Sequence, residues 1–263
     1  MAKKATIATA LFLIAGLTVW AQSPTQPPLT AEQIFEKNIE ALGGRTALEH
    51  VRSWVKKGSK TGVVLPNSGQ FSASVRVLTR GGTVEDYWKA PRQSLMILNA
   101  GTRNEVKAGS DEHVFWTSVE GVLTTRQPPG PASTGSIGNY FDSIASARKE
   151  AKVKLKGVKK VDGRSAYKIE LSWTDGAQET RYYDTSSFLL LRTDWSGPGQ
   201  MVGGMSVVSI SGTQTFSDYR EVSGVKFAFE VKSDAGQVTR YTEIHVNPEL
   251  DDSIFQPPAV KKK

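Results

Sequence analysis

Residues 167–173 read YKIELSW, with apolar and polar side chains alternating along the whole stretch. This period of two is typical of a β-strand with one buried and one solvated face, the habit of antiparallel sheets. Residues 71–77 and 225–231 repeat the pattern, and Asp162-Gly163 and Asp175-Gly176 flank the first stretch as pairs that favour tight hairpin turns. The sequence therefore predicts a mainly antiparallel β domain, with roughly ten to twelve strands at the spacing expected of a large sheet or barrel.

Two short helices are predicted before the strands. Thr30 and Gln33 form a capping box, in which each side chain satisfies a backbone N–H of the other residue. The apolar residues that follow share one helix face: Phe35, Ile39 and Leu42. Gly43-Gly44 ends this helix, because glycine accepts the left-handed conformation. Residues 46–49 resemble a second capping box, and a second short helix is expected from there to about Arg52.

Two segments interrupt the β pattern later in the chain. After the loop at residues 128–131, an amphipathic helix is predicted from a cap at Ser136 to about Lys149. Its apolar stripe consists of Ile137, Tyr140, Phe141 and Ile144. The Gly-rich segment from Ser196 to Met205 is predicted to be a mobile loop between strands.

The strongest chemical signal is apolar and aromatic. Six Trp, seven Tyr and ten Phe are concentrated in the predicted strands. These side chains either fill a closed core, or some of them line a cavity between a curved sheet and the few helices that cover it. The pattern alone leaves both interpretations open. The candidate cavity residues are the stripe of the mid-chain helix and one face of the 167–173 strand: Ile137, Tyr140, Phe141, Ile144, Tyr167, Ile169, Leu171 and Trp173.

The N-terminal residues indicate export. Residues 1–21 combine two lysines, a short apolar stretch and small residues before a cleavage point, as secretory signal peptides do. We expect a mature chain that starts at Gln22, lies in the periplasm and has no transmembrane segment. Because the sequence has no cysteine to carry a lipid, a soluble protein rather than a lipoprotein is expected. The predicted organisation continues with a Pro-rich linker at 22–29, one domain at 30–258 and a basic tail at 259–263.

Catalytic and metal-binding motifs are not found. The absence of cysteine excludes a disulfide framework and thiolate metal sites. His50, His113 and His245 lack the spacing of metal ligands, and we expect each of them at the surface or at a helix end. No phosphate-binding loop, dinucleotide fingerprint or nucleophile elbow is present. The sequence therefore predicts neither an enzyme nor a bound cofactor or metal, and its formal charge of +7 is spread too thinly to predict nucleic-acid binding.

Several short motifs resemble those of bacterial outer-membrane lipoprotein-sorting, LolA-like proteins. They begin with residues 29–34 (LTAEQI), 41–44 (ALGG), 47–49 and 55–58, followed by 87–91 (YWKAP), 182–184 and 189–191. They end with residues 216–219 (FSDY), 224–227 (GVKF), Asn247 and 255–258 (FQPP). The resemblance covers nearly the whole mature chain, but its motifs are structural, so it bears more on fold than on activity.

The resemblance implies an unclosed antiparallel β half-barrel with helices over its concave apolar face. In related folds that face holds the acyl chains of lipoproteins or glycolipids, while others sense envelope stress. The resulting hypothesis is a periplasmic carrier or binding protein for a lipid or acylated protein, which would take part in outer-membrane biogenesis. The alternative is a non-enzymatic periplasmic module that senses or scaffolds envelope proteins. An open apolar groove favours the first, and a closed dry core favours the second.

Overall fold

The computed structural model describes ten stretches of the chain: residues 28–62, 81–111, 113–119, 121–126, 151–174, 176–197, 201–202, 205–207, 210–234 and 236–259. For residues 126, 201–202, 205–207 and 210 it describes the backbone alone. Five predicted features therefore lie wholly or mostly outside the described residues: the signal peptide at 1–21, the linker at 22–29, the strand at 71–77, the mid-chain helix at 136–149 and the tail at 259–263. They remain predictions, as does the division of the chain into these segments.

The described residues are mainly strands. The helices are α1 (Ala31–Ala41) and α2 (Arg45–Glu49), with a 3-10 helix at Asp252–Phe255. The first strands are β1 (Ser53–Thr61), β2 (Gly82–Lys89), β3 (Gln93–Leu98), β4 (Val106–Ser110), β5 (Phe115–Val119), β6 (Val122–Arg126), β7 (Lys152–Val161) and β8 (Arg164–Ser172). The others are β9 (Gln178–Asp184), β10 (Leu190–Gly197), β11 (Met201–Val202), β12 (Met205–Val207), β13 (Ile210–Val222), β14 (Val225–Ser233) and β15 (Val238–Val246).

Thirteen of these strands form one antiparallel sheet that is not closed into a barrel. Its order is β6-β5-β4-β3-β2-β1-β15-β14-β13-β10-β9-β8-β7. The first and last of the described strands, β1 and β15, pair at the centre, and hairpins extend outward from them on both sides. The edge strands β6 and β7 are consecutive in sequence among the described strands, with residues 127–150 between them. The predicted half-barrel is confirmed, with slightly more strands than expected.

Helix α1 covers one half of the sheet. The predicted capping box is confirmed: the Thr30 backbone N donates to Oε1 of Gln33 at 2.8 Å, and the Gln33 N donates to Oγ1 of Thr30 at 3.2 Å. Ile34 and Phe35 are fully buried against a cluster that includes residues of β8, β9 and β10. Burial of each such side chain contributes about 1.5–3 kcal/mol, so apolar contact with the sheet stabilises α1 more than its cap does.

The second predicted capping box is wrong. Helix α2 begins at Arg45, its N-cap is Gly44, and no side chain caps it. The Gly44 carbonyl accepts the Leu48 N–H at 3.1 Å, so the helix starts one residue before Thr46, and it ends at Glu49 rather than near Arg52. The reason is tertiary: a Cβ on Gly43 would lie 2.1 Å from the Gly224 carbonyl oxygen, so the corner between the helices packs directly on the β13–β14 turn.

The predicted Gly-rich loop is only partly a loop. Strand β10 continues to Gly197, which pairs with Ile210 of β13. The backbones of β11 and β12 pair with each other as a separate two-stranded ladder. Ladder hydrogen bonds need only the backbone, which is why a glycine-rich composition did not prevent pairing. At Gly212 the missing side chain is required, because a Cβ there would lie 2.7 Å from the Trp195 indole.

The C-terminal segment packs on the face of the sheet opposite the helices. Phe255 is fully buried with Leu95 and Trp116. The Trp116 indole N–H donates to the Phe255 carbonyl at 2.7 Å, and the Lys89 Nζ donates to the Leu250 carbonyl at 2.8 Å. The C-terminal segment thus covers the back of the β2–β6 half and leaves the helix-bearing face free of it.

Candidate ligand-binding face

Cross-strand pairing aligns a row of apolar side chains across the β2–β6 half of the sheet. Val84 pairs with Leu98, which pairs with Val106. The row continues through Val119 to Val122 on the edge strand. Directly paired residues present their side chains to the same face of a sheet. Val84 lies on the same face of β2 as Trp88, four residues later, and Trp88 belongs to the apolar cluster under α2. The apolar residues therefore lie on the face that carries the helices. Exposure rises from 1% at Val84 to 67% at Val122. We call these five residues the apolar row.

A second row on the same face carries charge. Lys56 of β1 pairs with Asp86 of β2, and Asp86 pairs with Met96 of β3. Asp86 is only 9% exposed, and Lys56 is partly exposed. A carboxylate and an ammonium group thus lie side by side with the apolar row, at the centre of the sheet.

A β-bulge adds Tyr241 to this face. Lys57 pairs with Glu243 but Gly58 pairs with Tyr241, so Thr242 is the extra residue of β15. The bulge changes the alternation of side chains, which places Tyr241 on the same face as Lys56. Only glycine fits at position 58, because a Cβ there would lie 2.0 Å from the Arg240 carbonyl oxygen.

Lys56, Lys60, Asp86 and Tyr241 form what we call the central polar cluster. The Tyr241 hydroxyl donates a hydrogen bond of 2.5 Å to Oδ2 of Asp86. Lys60 lies four residues beyond Lys56 on the same face of β1. Within the described part of the chain, neither lysine has a carboxylate within ion-pair distance, so Asp86 acts on both through longer-range attraction.

The Lys56 ammonium lies among aromatic rings. Its Nζ is 4.2 Å from the ring centroid of Trp54, 5.2 Å from that of Phe227 and 5.4 Å from that of Tyr241. Such contacts attract a cation through the negative faces of the rings. They do not satisfy its three N–H donors, and no hydrogen bond to Lys56 is seen among the described residues.

Burial shifts the titration of the whole central polar cluster. It lowers the pKa of Lys56 from 10.5 to about 8, although the charge of Asp86 acts in the opposite direction. It also lowers the pKa of Lys60. Burial raises the pKa of Asp86, outweighing the hydrogen bond from Tyr241 and the charges of the two lysines. The pKa of Tyr241 is raised by burial and by the neighbouring Asp86. The folded chain thus disfavours every charge in this cluster.

A second charged group lies on the same face, beneath α1. Arg181 is 1% exposed, and its Nε is 2.6 Å from Oε1 of Glu179. Burial lowers the pKa of Arg181, but the interactions with Glu179 and Tyr183 together outweigh that effect, so the net pKa is raised. This pair is internally compensated, unlike the lysines of the central polar cluster.

The four predicted cavity residues between 167 and 173, three in β8 and Trp173 directly after it, share the helix-bearing face. Ile169 and Leu171 have 0% exposure and pack in one cluster with Ile34 and Phe35 of α1. Tyr167 and Trp173 are partly buried beside that cluster, and the Tyr167 ring stacks 5.9 Å from that of Phe188. The structure therefore brings these residues together under α1; a role in ligand binding stays a prediction. The other four candidates lie outside the described residues: Ile137, Tyr140, Phe141 and Ile144.

The central polar cluster was missed in the sequence. One signal was available: Asp86 lies between Val84 and Trp88 in the apolar phase of its strand. Its neighbour Glu85 faces the other side, as adjacent strand residues must, and accepts a hydrogen bond from Tyr87. The position of Tyr241 on this face could not be predicted from the alternation of residues along β15, because it depends on the bulge.

The histidines are where the sequence predicted them. His50 is exposed at the C-cap of α2. His113 is exposed in the turn between β4 and β5, and His245 is exposed on β15. Among the described residues, no group of three His, Cys, Asp or Glu side chains could hold a metal ion. No helix in that part of the chain is long and apolar enough to cross a membrane.

Comparison with known proteins identifies the fold. No family model and no curated protein matches the chain. A DUF1329 family protein from Desulfovibrio piger is similar with a TM-score of 0.55 over 86% of this chain and 96% of its own, at 13% sequence identity. A LolA superfamily protein from Nitrosomonas europaea has a TM-score of 0.51 over 87% of this chain and 98% of its own, at 14% identity. At the level of fold, the resemblance drawn from the sequence motifs is confirmed.

Proposed function

We propose that this chain is a periplasmic carrier or binding protein that holds a lipid or an acylated protein by its acyl chain. The observation that carries the proposal is the apolar row on the helix-bearing face. Its exposure grows toward β6, the edge strand of the sheet among the described residues, so an apolar ligand can enter from the β6 side without displacing α1 or α2.

The dimensions of the row fit an extended chain. It crosses five neighbouring strands, which at about 4.8 Å per strand gives a row roughly 19 Å long. Val84, Leu98 and Val106 are at most 6% exposed, so the surface open to an acyl chain is the end of the row at Val119 and Val122, and binding deeper in the row requires rearrangement of the residues that cover it. Each CH₂ group buried against the row contributes about 0.8 kcal/mol.

The shared fold and the family motifs support the same class of ligand. The LolA-like resemblance implies a concave face that holds acyl chains, and the fold likeness extends over 86–87% of this chain. The proposal concerns binding rather than catalysis, and a periplasmic location follows from the predicted signal peptide.

A charge placed in the apolar row tests the proposal. Titration of the wild type with a pyrene-labelled long-chain fatty acid should give saturable binding. Val119→Asp should weaken it about tenfold or more, because the carboxylate must be desolvated against the acyl chain. Ser118→Asp is the matched control: its side chain faces the other side of β5, where it pairs with Lys107, and binding should be unchanged. Absence of binding by the wild type would reject the carrier and favour the protein-binding alternative.

A further inference from the structure

We propose that Lys56, supported by Lys60, binds the carboxylate headgroup of the acyl ligand, so that the preferred ligand is a free long-chain fatty acid. This inference rests on the proposed function and names its ligand class. It is carried by the position of two ammonium groups beside the apolar row, on an otherwise mainly apolar face.

The lysines need a partner that the described residues do not provide. The carboxylate of Asp86 already accepts the Tyr241 hydroxyl and lies beyond ion-pair distance of both lysines. The rings around Lys56 stabilise its charge but accept no conventional hydrogen bonds from it. Partly buried charges are normally paired, and a ligand anion at this point would complete the pairing.

The charge and the available space of the central polar cluster favour a small anion. Its two lysines outnumber its one carboxyl group, so the net charge of the cluster is positive and attracts an anion. Three rings have centroids within 5.4 Å of the Lys56 Nζ, which leaves little room for a bulky headgroup. A carboxylate is compact and sits at the end of its chain, so the chain can extend from it toward the exposed Val122 end of the apolar row.

Lys56 also carries its charge at the pH at which it would bind the carboxylate. Its pKa of about 8 keeps most of the group protonated at neutral pH. The charged groups that face it are Lys60 on its own strand and Asp86 on β2, with the Tyr241 hydroxyl on β15. A bound carboxylate would add a negative charge and stabilise the ammonium further.

The test compares three probes of equal chain length: a pyrene-labelled fatty acid, its methyl ester and the corresponding alkyl phosphate. At pH 7 the wild type should bind the acid about ten- to hundredfold more tightly than the ester. Lys56→Met should remove that preference by weakening the acid and not the ester. Lys57→Met, which removes a charge from the exposed opposite face, should keep it.

Each other outcome has a defined meaning. Equal binding of acid and ester by the wild type overturns the headgroup site but leaves the proposed function intact, and this comparison needs no variant. Tighter binding of the phosphate than of the acid overturns the choice of carboxylate. Undiminished preference for the acid in Lys56→Met overturns the role of Lys56. Binding of none of the three probes rejects the proposed function itself.

Discussion

The Tyr241 hydroxyl reaches across strand β1 to donate a hydrogen bond to Asp86. The two residues lie on β15 and β2, the two neighbours of β1, and are 155 positions apart in the sequence. The bond thus joins the two halves of the sheet on its helix-bearing face, directly beside Lys56. It also contributes to the free energy of unfolding and to its dependence on pH.

Tyr241→Phe should destabilise the protein by about 1–3 kcal/mol, because it removes the hydrogen bond to a buried carboxyl group. The loss should be larger at pH 7 than at pH 4. Burial raises the pKa of Asp86 above 3.8, so the folded chain binds more protons than the unfolded chain just above that pH, and stability falls as pH rises through this window. Loss of the Tyr241 bond raises the pKa further and extends that fall.

Urea unfolding curves at both pH values measure this effect. Tyr87→Phe is the control, since that hydroxyl donates to Glu85 on the opposite face of the same sheet. It should show a smaller loss with no comparable pH dependence. An equal loss for both variants at both pH values would contradict a special role for the Asp86 bond.

Lys56→Met should stabilise the apo protein by about 2 kcal/mol at pH 7. The wild-type pKa of about 8 lies below the ordinary 10.5, so between these values the unfolded chain binds more protons and the free energy of unfolding rises with pH. The rise of the unfolding free energy with pH should be smaller in Lys56→Met, because the variant lacks the group that titrates. Lys57→Met, on the exposed face, should match the wild type in stability curves recorded from pH 7 to 10.5. Destabilisation by Lys56→Met at pH 7 would mean that the ring contacts outweigh the cost of burial.

Asn38→Ala should destabilise the protein by about 1–3 kcal/mol. The Asn38 side chain is fully buried, and its Nδ2 donates a 2.7 Å hydrogen bond to the Phe188 carbonyl in the β9–β10 turn. This bond adds to the apolar contacts that hold α1 on the sheet. Glu40→Ala, at an exposed position of the same helix, should change the unfolding free energy by less than about 0.5 kcal/mol. Similar denaturation midpoints for both variants would show that α1 is held by apolar contacts alone.

Phe141→Ala tests the predicted mid-chain helix. If that helix covers a binding cavity and opens for ligand, its contacts are loose, and the variant should lose less stability than Phe227→Ala while changing the affinity for the fluorescent fatty acid. Phe227 is 5% exposed in the core under α2, so its truncation should cost about 3–5 kcal/mol. Denaturant curves and lipid titrations on both variants decide the matter. Equal large losses, with no lipid binding by the wild type, would reject the carrier.

The export prediction can be tested independently of the fold. Expressed with its own N-terminal residues in a Gram-negative host, the protein should appear in the osmotic-shock fraction and begin at Gln22 or within a few residues of it. N-terminal sequencing of that fraction is the measurement. Recovery of the full-length chain in the membrane pellet would show that the segment is not cleaved.

Features that depend on neighbouring residues could be predicted from the sequence. The capping box at Thr30 needs only residues three positions apart, and the hairpin at Asp162-Gly163 needs two residues that accept positive φ, here 46° and 81°. The alternation of apolar and polar residues in β8 and β14 assigns side chains to the two faces of each strand, and this assignment does not depend on the neighbouring strands. Together these local patterns were enough for a mainly antiparallel β domain, while the unclosed half-barrel was implied by the family resemblance.

The candidate site was decided by tertiary structure. The start of α2 moved from Thr46 because Gly43 packs on a turn 181 residues later in the chain. Lys56, Asp86 and Tyr241 come from three strands that meet only when the two ends of the domain pair as β1 and β15. The bulge at Thr242 then turns Tyr241 onto their face. Alternation along one strand assigns its residues to two faces, but only the register between strands decides which charges on a face become neighbours, and in this protein one extra residue changes that register.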